Sequence, residues 1–294
     1  MNENLRTVLG SVVEVFGLVG IAFLYARRAR FDLSSTMRIG MDIFIPCLTF
    51  TAIMDSRIQA REMGLASIAT LIQIGAGLLF GWIVLRAIGW RDRRELLMPI
   101  AFVNAANLPF PLLLANFGTE GLSQGVLCYM VTNLVIFSVG ILLLHGGGRF
   151  REGLREPALW ATILAIGLRV AHVRIPDVAM RIPRSAGVAA VPLMLVLFGD
   201  SLARARLTAV REAIVATAVR YVSGAAGLAL VLWWLRPTGT LRSVLVLYAL
   251  LPSAIINVVL TERAGRNAQS VASAVLLATL VSVVLLPIVL ALVR

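Results

Sequence analysis

The feature that most constrains this chain is a pair of long apolar stretches that proline and asparagine interrupt near their middles. They are LMPIAFVNAANLPFPLLLANFG, from Leu97 to Gly118, and VLVLYALLPSAIINVVL, from Val244 to Leu260. Proline removes a backbone hydrogen bond from a helix, and its ring clashes with the preceding turn. In a membrane, the freed backbone groups are tolerated only where protein or a water-filled cavity satisfies them. Because broken membrane helices at matching positions of two halves mark substrate sites in transporters, these stretches are the first candidates for a binding site.

The composition places the chain in a membrane. Its 294 residues are 59% hydrophobic and only 14% charged, which leaves too few polar side chains to cover a soluble protein of this size. About ten spans of about 20 residues use roughly 200 residues, so only short loops remain and there is no room for a separate soluble domain. The net charge of +12 lies mainly between the apolar stretches. It therefore indicates loops that face anionic membrane lipid, and no nucleic-acid partner is expected.

Hydropathy predicts an all-α integral membrane protein with about ten transmembrane helices. The predicted spans cover residues 5–26, 37–54, 64–88, 96–115, 121–144, 157–173, 186–202, 209–235, 242–260 and 268–292. A glycine-rich, charged segment at residues 145–157 divides five spans from five. We therefore expect two five-helix units, residues 1–148 and residues 149–294.

The two halves repeat one another in pattern. Three pairs of residues recur at separations of 146, 143 and 147 positions: Pro46 and Pro192, Pro109 and Pro252, and Gly118 and Gly265. A repeat with an odd number of spans inserts upside down relative to its copy. Inverted repeats place the substrate site near the middle of the bilayer, between the halves.

Arginine is distributed unequally between alternate loops. One side of the membrane carries 16 arginines and the other carries 10, while Arg220 lies within a span. Because positive charge is retained on the cytoplasmic side, we expect both termini to lie outside. The expected location is a bacterial inner membrane.

The first interruption carries residue types that suit an anion. Pro109 and Pro111 lack an N–H and push the residues before them out of the helical region, so a half-helix N-terminus is exposed there. Such an end has unpaired N–H groups and a partial positive charge. Asn104 and Asn107 can donate to a carboxylate or satisfy freed carbonyls. The alternative is a simple proline kink that the two asparagines cap.

The second interruption matches the first in position. Pro252 frees a carbonyl one turn earlier, and the polar side chains at hand are Ser253 and Asn257. A single proline is common in membrane helices, so the pairing with the other half is what suggests two crossing, broken helices. We expect Asn104, Asn107, Pro109, Pro111, Pro252, Ser253 and Asn257 to form the substrate site.

Three charged residues inside predicted spans are candidates for a functional role. Arg220 marks either a transport pathway or a side chain that reaches the cytoplasmic surface, since it lies only about 14 Å along the helix from Arg211. Glu14 and Asp42 are candidates to carry a coupling proton or cation. Arg38 precedes Asp42 by one turn, so a local ion pair is the alternative for Asp42. Glu14 has no such neighbour and is the better coupling candidate.

Signals for other chemistry are missing from the sequence. No phosphate loop, zinc-ligand spacing or flavin fingerprint is present, and no acid, base and nucleophile converge. Cys47 and Cys128 both fall inside apolar spans, where an unpaired buried thiol is the default. We therefore expect neither a cofactor, a metal site nor an enzymatic activity.

The interrupted stretches resemble those of the auxin efflux carrier family, which includes plant PIN-type carriers and bacterial malate or malonate permease-like proteins. The resemblance covers nearly the whole chain. It rests on VNAANLPFPLLLANFGTEGLSQGVL, on VPLMLVLFGDSLA and on LPSAIINVVLTERAGRNAQSVASAVLLATLVS. In the first of these, Asn104, Asn107, Pro111 and Gly118 match the family pattern, whereas Pro109 replaces the usual glycine. In the last, Pro252 and Ser253 match.

The resemblance implies ten helices in two inverted five-helix repeats, with broken helices four and nine crossing at their centres. It also implies a scaffold of spans one, two, six and seven, which often forms a homodimer, and an elevator-like moving domain made of the other spans. Substrates of the family are organic anions such as carboxylates. Bile acid–sodium symporters are similar in fold, and their sodium sites use acidic and amide side chains. Here no Asp or Glu lies between Leu96 and Gly118 or between Val244 and Thr261.

We expect a secondary transporter of small organic anions that works by elevator-type alternating access. The alternatives are a sodium- or proton-coupled symporter, with Glu14 or Asp42 carrying the ion, and a membrane sensor that binds a ligand without moving it. The identity of the anion, the direction of flux and the coupling ion do not follow from the sequence.

Overall fold

A computed structural model describes residues 3–28, 33–56, 59–145, 157–173 and 175–293. All regular secondary structure in these ranges is helical. The only β-type pairing among the described residues is an isolated antiparallel bridge between Val103 and Ser253. This confirms the prediction of an all-α chain. The bridge joins the two stretches that the sequence marks as interrupted.

The first helices are long and apolar. They are α1 (Glu3–Arg28), α2 (Ser34–Ile39), a π-helical turn (Gly40–Phe44), α3 (Ile45–Met54) and α4 (Ala60–Ala87). The π-helical turn directly precedes Pro46, the second residue of α3. Because proline cannot donate to the residue four positions earlier, the wider turn accommodates it without ending the helix.

The predicted fourth span is broken in the structure. A 3₁₀ turn (Arg94–Leu96) leads into the short helix α5 (Leu97–Ala101), and the chain is non-helical until α6 (Pro109–Val135) begins. A π-helical turn (Ile136–Gly140) and α7 (Ile141–His145) continue α6. Gly118, with φ of 62° and ψ of −156°, divides α6 into two segments. The second half of the fourth span and the whole fifth span therefore meet at this glycine, as the sequence predicts.

The second half repeats this order. Its helices are α8 (Pro157–Val170), α9 (Asp177–Arg204), α10 (Val210–Trp234), α11 (Gly239–Ala249), α12 (Ile256–Arg263) and α13 (Ala268–Val293). The break between α11 and α12 contains Pro252, as predicted. Pro192 lies inside α9 without breaking it, and α9 begins nine residues before the predicted span.

Six helical segments in the described ranges are long and apolar enough to cross a membrane: Ser35–Met54, Arg61–Ala87, Pro109–Leu144, Asp177–Arg204, Val210–Trp234 and Ala268–Val293. Large apolar side chains on their outer faces are exposed, among them Trp82, Trp233 and Leu292. Exposed apolar surface of this extent suits lipid as the surrounding medium. The chain is therefore a multi-pass membrane protein, whereas the ten-helix inverted arrangement stays a prediction.

The helices pack in two groups. In the first group, α1 and α3 pack against α9, and α8 packs against α3. In the second group, α4 packs against α10, α10 against α13, and α6 against α4 and α11. The groups meet where α6 contacts α1 and α3; there the Ser123 hydroxyl donates to the Ala52 carbonyl. The assignment of these two groups to a scaffold and a moving domain stays a prediction.

Candidate functional site

The two breaks lie against each other and satisfy each other's backbone. The Asn104 N–H donates to the Pro252 carbonyl at 2.8 Å, and the Ala254 N–H donates to the Phe102 carbonyl at 3.0 Å. The prolines prevent continuous helices here, and in hydrocarbon the freed groups need partners within the protein. The pairing therefore fixes the register of one break against the other.

Buried side chains hold this crossing in place. The Ser253 hydroxyl donates to the Pro99 carbonyl, and the Asn257 amide donates to the Phe102 carbonyl at 2.9 Å. The Tyr248 hydroxyl lies 2.7 Å from both the Ala105 and the Gly125 carbonyl oxygens. These contacts tie α11 and α12 to the break in the other half. Ser253 and Asn257, which were predicted to contact substrate, thus donate hydrogen bonds to backbone carbonyls.

A cavity of about 140 Å³ opens beside the crossing. Both breaks, the helices α2, α3, α6 and α12 and two π-helical turns contribute to its wall. The lining residues are Met37, Met41, Ile45, Val103, Asn104, Ala105, Ala106, Asn107, Tyr129, Thr132, Asn133, Ile136, Phe137, Ala254, Ile255, Ile256 and Val259. None of these side chains is charged. The wall is thus mostly apolar, with polar side chains at Asn104 and Asn107 in the first break and at Tyr129, Thr132 and Asn133 on α6.

Asn104 supplies a hydrogen-bond donor to this cavity. Its side-chain oxygen accepts the Asn107 N–H at 3.1 Å, which assigns the oxygen and the nitrogen of the amide. The side chain is only 4% exposed, and its nitrogen has no partner among the described residues. A buried amide donor without a partner costs about 1–3 kcal/mol. An acceptor inside the cavity would remove that cost.

Two helices begin at the cavity. The turn that contains Asn104 and Asn107 leads into α6, which starts at Pro109, and the lining residues Ala254 and Ile255 directly precede α12. At these starts the Phe110, Asn257 and Val258 N–H groups already donate to carbonyls, and Pro109 and Pro111 carry no N–H. What the helix starts offer an anion is the partial positive charge of the helix dipole. This arrangement agrees with the half-helix N-terminus predicted from the prolines.

Arg220 is buried at the same crossing. It is 2% exposed, and its Nη2 donates to the carbonyls of Ala249 at 2.9 Å and Tyr248 at 3.4 Å. These carbonyls close the C-terminal end of α11. The alternative that Arg220 reaches the cytoplasmic surface does not hold, because the side chain ends at the crossing. Arg220 lies outside the lining of the 140 Å³ cavity.

The remaining candidates are separated from this cavity. Pro109 and Pro252 are buried in the crossing and shape its backbone, while Pro111 and Glu14 line a second cavity of about 710 Å³. Asp55 and Arg184, which form an ion pair at 2.7 Å, also line it.

Asp42 is exposed on the π-helical turn and lines neither cavity. Among the ion pairs of the described ranges, none joins Asp42 to Arg38. The structure therefore gives Asp42 no place near the crossing.

The two cavities approach the crossing from different directions. Along α3, Ile45 lines the small cavity and Leu48 lines the large one; along α6 and the turn before it, Asn107 lines the small cavity and Pro111 the large one. One helical turn thus separates the cavities on both elements.

Sequence reasoning missed Tyr129, Thr132 and Asn133, which add polar groups to the small cavity. The dipeptide Thr132-Asn133 in an otherwise apolar span was the available signal. Gly77 and Gly224 were also missed as parts of the site. A Cβ atom on Gly77 would lie 2.8 Å from the Ala101 Cα, and one on Gly224 would lie 2.1 Å from the Ala249 carbonyl oxygen. Each glycine therefore lets a long helix touch the end of a half-helix.

Comparisons with known proteins identify the family of the chain. The family described as "Membrane transport protein", that of the auxin efflux carriers, matches residues 7–151 and 147–290. A protein of Methanothermobacter thermautotrophicus, described as an uncharacterized transporter, is 26% identical over 292 residues, which cover 95% of this chain and 92% of the relative. Both matches point to a transporter and away from an enzyme. The chain belongs to the auxin efflux carrier family of membrane transport proteins.

Proposed function

We propose that the chain is a secondary transporter of small organic carboxylates. Its ten spans form two inverted five-helix repeats, residues 1–148 and 149–294, in a bacterial inner membrane with both termini outside. Substrate binds in the 140 Å³ cavity beside the crossing. Asn104 and Asn107 contact its carboxylate, Pro109 and Pro252 shape the backbone of the crossing beside it, and Pro111 lines the larger cavity.

The observation that carries this proposal is the unpartnered Asn104 amide nitrogen at the wall of a cavity without charged side chains. Two helix starts add partial positive charge at the same place. A carboxylate satisfies the free Asn104 donor and interacts favourably with the partial positive charge of the helix starts, whereas a cation does neither. Substrate binding therefore favours an anion by hydrogen bonding and by electrostatics.

The cavity also limits the kind of carboxylate. Its volume of about 140 Å³ is less than half of the roughly 300 Å³ at which pockets for drug-sized ligands begin. Apart from the asparagines, Tyr129, Thr132 and Asn133, the wall is made of aliphatic, methionine and phenylalanine side chains. A monocarboxylate with a short aliphatic tail fits a cavity with few polar groups and a mostly apolar wall. It fits better than a dicarboxylate, whose second charge would meet apolar side chains.

Transport then follows from the two helix groups. The group that contains α1, α3, α8 and α9 serves as scaffold and dimer interface, and the group that contains α4, α10 and both broken helices moves past it as an elevator. The cavities of 140 Å³ and 710 Å³ lie one turn apart on α3 and α6. A shift of about one turn, roughly 5.4 Å, is enough to pass Asn104 and Asn107 from one cavity to the other.

Proton coupling is the second candidate mechanism. It rests on Glu14, which lines the 710 Å³ cavity together with Asp55 and Arg184. A carboxylate within a membrane span is costly and commonly belongs to a proton or ion pathway. Uptake that follows an imposed pH gradient in the wild type and loses that dependence in Glu14→Gln would support it.

The experiment that tests the proposal is counterflow in proteoliposomes. The probes are radiolabelled propionate and isovalerate, with succinate and the neutral isovaleramide for comparison. We expect the monocarboxylates to exchange, succinate to exchange more slowly and isovaleramide not at all. Equal transport of isovaleramide would show that the site does not select a negative charge.

Asn107→Ala tests the asparagine contact directly. Loss of a hydrogen bond to a charged group costs about 1.5–3 kcal/mol, so isovalerate affinity falls by about tenfold to hundredfold. Asn116→Ala is the control, because Asn116 lines neither cavity and its amide donates to Leu112 in its own helix. Normal isovalerate counterflow by folded Asn107→Ala would remove Asn107 from the site.

A further inference from the structure

The two half-helices that end at the crossing are closed by different chemistry. At the end of α5, the neutral donors Ser253 and Asn257 bind the Pro99 and Phe102 carbonyls. At the end of α11, the guanidinium of Arg220 binds the Tyr248 and Ala249 carbonyls. One of the two ends therefore carries a full positive charge.

Removal of a guanidinium from water is costly, and a partner carboxylate usually offsets the cost. Arg220 is 2% exposed, its Nε has no hydrogen-bond partner, and none of the ion pairs in the described parts of the chain includes it. Its favourable contacts are the carbonyl oxygens at a helix C-terminus, where the helix dipole places partial negative charge. The charge thus interacts with backbone in the way a bound metal cation does.

In secondary transporters, the C-terminal ends of half-helices and unwound carbonyls are the groups that coordinate coupling sodium ions. The end of α11 is such a place. The breaks themselves contain no Asp or Glu to complete a sodium site, and the carbonyls that could coordinate sodium already accept from Arg220.

Gly224 makes room for this arrangement. A Cβ atom there would lie 2.1 Å from the Ala249 carbonyl oxygen and 2.9 Å from the Arg220 Nη1. Helix α10 therefore brings its own guanidinium against the end of α11 only because the residue one turn after Arg220 has no side chain.

We propose that Arg220 is a built-in cation that occupies the position of a coupling sodium ion. Arg220 is a positioning residue: it holds the end of α11 at the crossing and makes the carrier independent of sodium. The claim that transport is independent of sodium rests on the proposed function. The claim that Arg220 occupies a cation site does not.

Chemical rescue tests the cation site without any substrate. Thermal unfolding of purified, full-length Arg220→Ala is followed by tryptophan fluorescence in equal concentrations, about 20 mM, of guanidinium, sodium or choline chloride, or urea. We expect Arg220→Ala to melt below the wild type. Guanidinium raises its melting temperature by about 2–4 °C over choline, and sodium raises it by less. Urea, which has a similar planar shape but no charge, gives no rise.

Two controls make this result specific. Arg242→Ala removes an exposed arginine from α11 itself and is expected to show no guanidinium rescue. Arg220→Lys keeps the charge and is expected to respond equally to sodium and choline. Equal rescue of Arg220→Ala by urea and guanidinium, or melting of that variant with the wild type, would overturn the proposal.

The wild type provides a test that needs no variant. Its melting temperature is expected to be the same in sodium and choline chloride, and a saturable shift with sodium alone would overturn the proposal even if Arg220→Ala does not fold. Isovalerate counterflow is expected to run equally fast in both salts. A requirement for sodium refutes the inference and leaves the carboxylate proposal standing, whereas absence of counterflow in both salts refutes only the proposed substrate.

Discussion

Replacement of Gly224 by alanine is the sharpest structural test of the crossing. The added Cβ would lie 2.1 Å from the Ala249 carbonyl oxygen, whereas a carbon normally approaches a carbonyl oxygen no closer than about 3.3 Å. Because the clash is with backbone, α10 and the end of α11 must separate by more than about 1 Å. Overpacking of this kind costs about 1–3 kcal/mol, and the better helix propensity of alanine returns up to about 1 kcal/mol.

For an overpacking cost in the middle of that range, about 2 kcal/mol, the net loss is about 1–2 kcal/mol. This lowers the melting temperature by about 2–8 °C for a chain of this size. Thermal unfolding followed by tryptophan fluorescence measures this shift, and proteoliposome counterflow with isovalerate measures function. We expect transport to fall more than stability, because the displaced groups are the end of α11 and the guanidinium of Arg220.

Gly75→Ala is the matched control. Gly75 lies within the long helix α4, and a Cβ atom there would have no neighbour within 4 Å. The same exchange should leave the melting temperature unchanged or raise it slightly, with normal transport. Gly224→Ala that melts and transports like Gly75→Ala would refute the claim that α10 touches the end of α11.

Three further substitutions separate the roles of residues around the crossing. Tyr248→Phe removes the one buried O–H that the Ala105 and Gly125 carbonyls share, so we expect the free energy of unfolding to fall by about 1–3 kcal/mol; an unchanged melting temperature would contradict the contacts. Ser253→Ala should lower stability by about 1 kcal/mol but leave the apparent isovalerate affinity unchanged, because Ser253 does not line the cavity; an affinity loss without a stability loss would return Ser253 to the substrate site. Asp55→Asn breaks a partly exposed ion pair with Arg184 and should change stability by less than about 1 kcal/mol; a larger fall in melting temperature would show that this pair holds α3 to α9.

The position of both breaks was predictable from the sequence, for a reason that is local to the chain. Pro109, Pro111 and Pro252 each remove a backbone donor, and polar residues lie close to them in the chain. Pro192 lies in the unbroken helix α9, so proline together with neighbouring polar residues, and not proline alone, indicated the breaks. Gly118 was predictable in the same way, since its φ of 62° suits a residue without a side chain. Neither feature depends on what lies across the membrane.

The hydrogen-bond partners of the polar side chains were not predictable in this way. Asn104, Ser253 and Asn257 are the same kind of signal in the sequence, a polar residue beside a proline in an apolar span. Asn104 lines the cavity and has a side-chain donor without a partner, whereas Ser253 and the Asn257 amide nitrogen donate to carbonyls more than 150 residues earlier in the chain. The Asn257 side-chain oxygen has no partner among the described residues. Which of them is free depends on the register of the crossing, and single-sequence patterns carry no information about it.

The position of the charged residue Arg220 was likewise not predictable from the sequence. Its distance along the helix from Arg211 allowed either a surface or a pathway position, and only the packing of α10 against the end of α11 decides between them. The position of Arg220 in the structure also bears on the role of Asn104 and Asn107. Under the proposed function, the fixed positive charge of Arg220 favours an anion over a cation at the crossing, because charges interact strongly in a low-dielectric medium. On that proposal the amides orient the anionic group, while Arg220, which binds backbone and does not line the cavity, offsets the cost of holding an anion within the membrane.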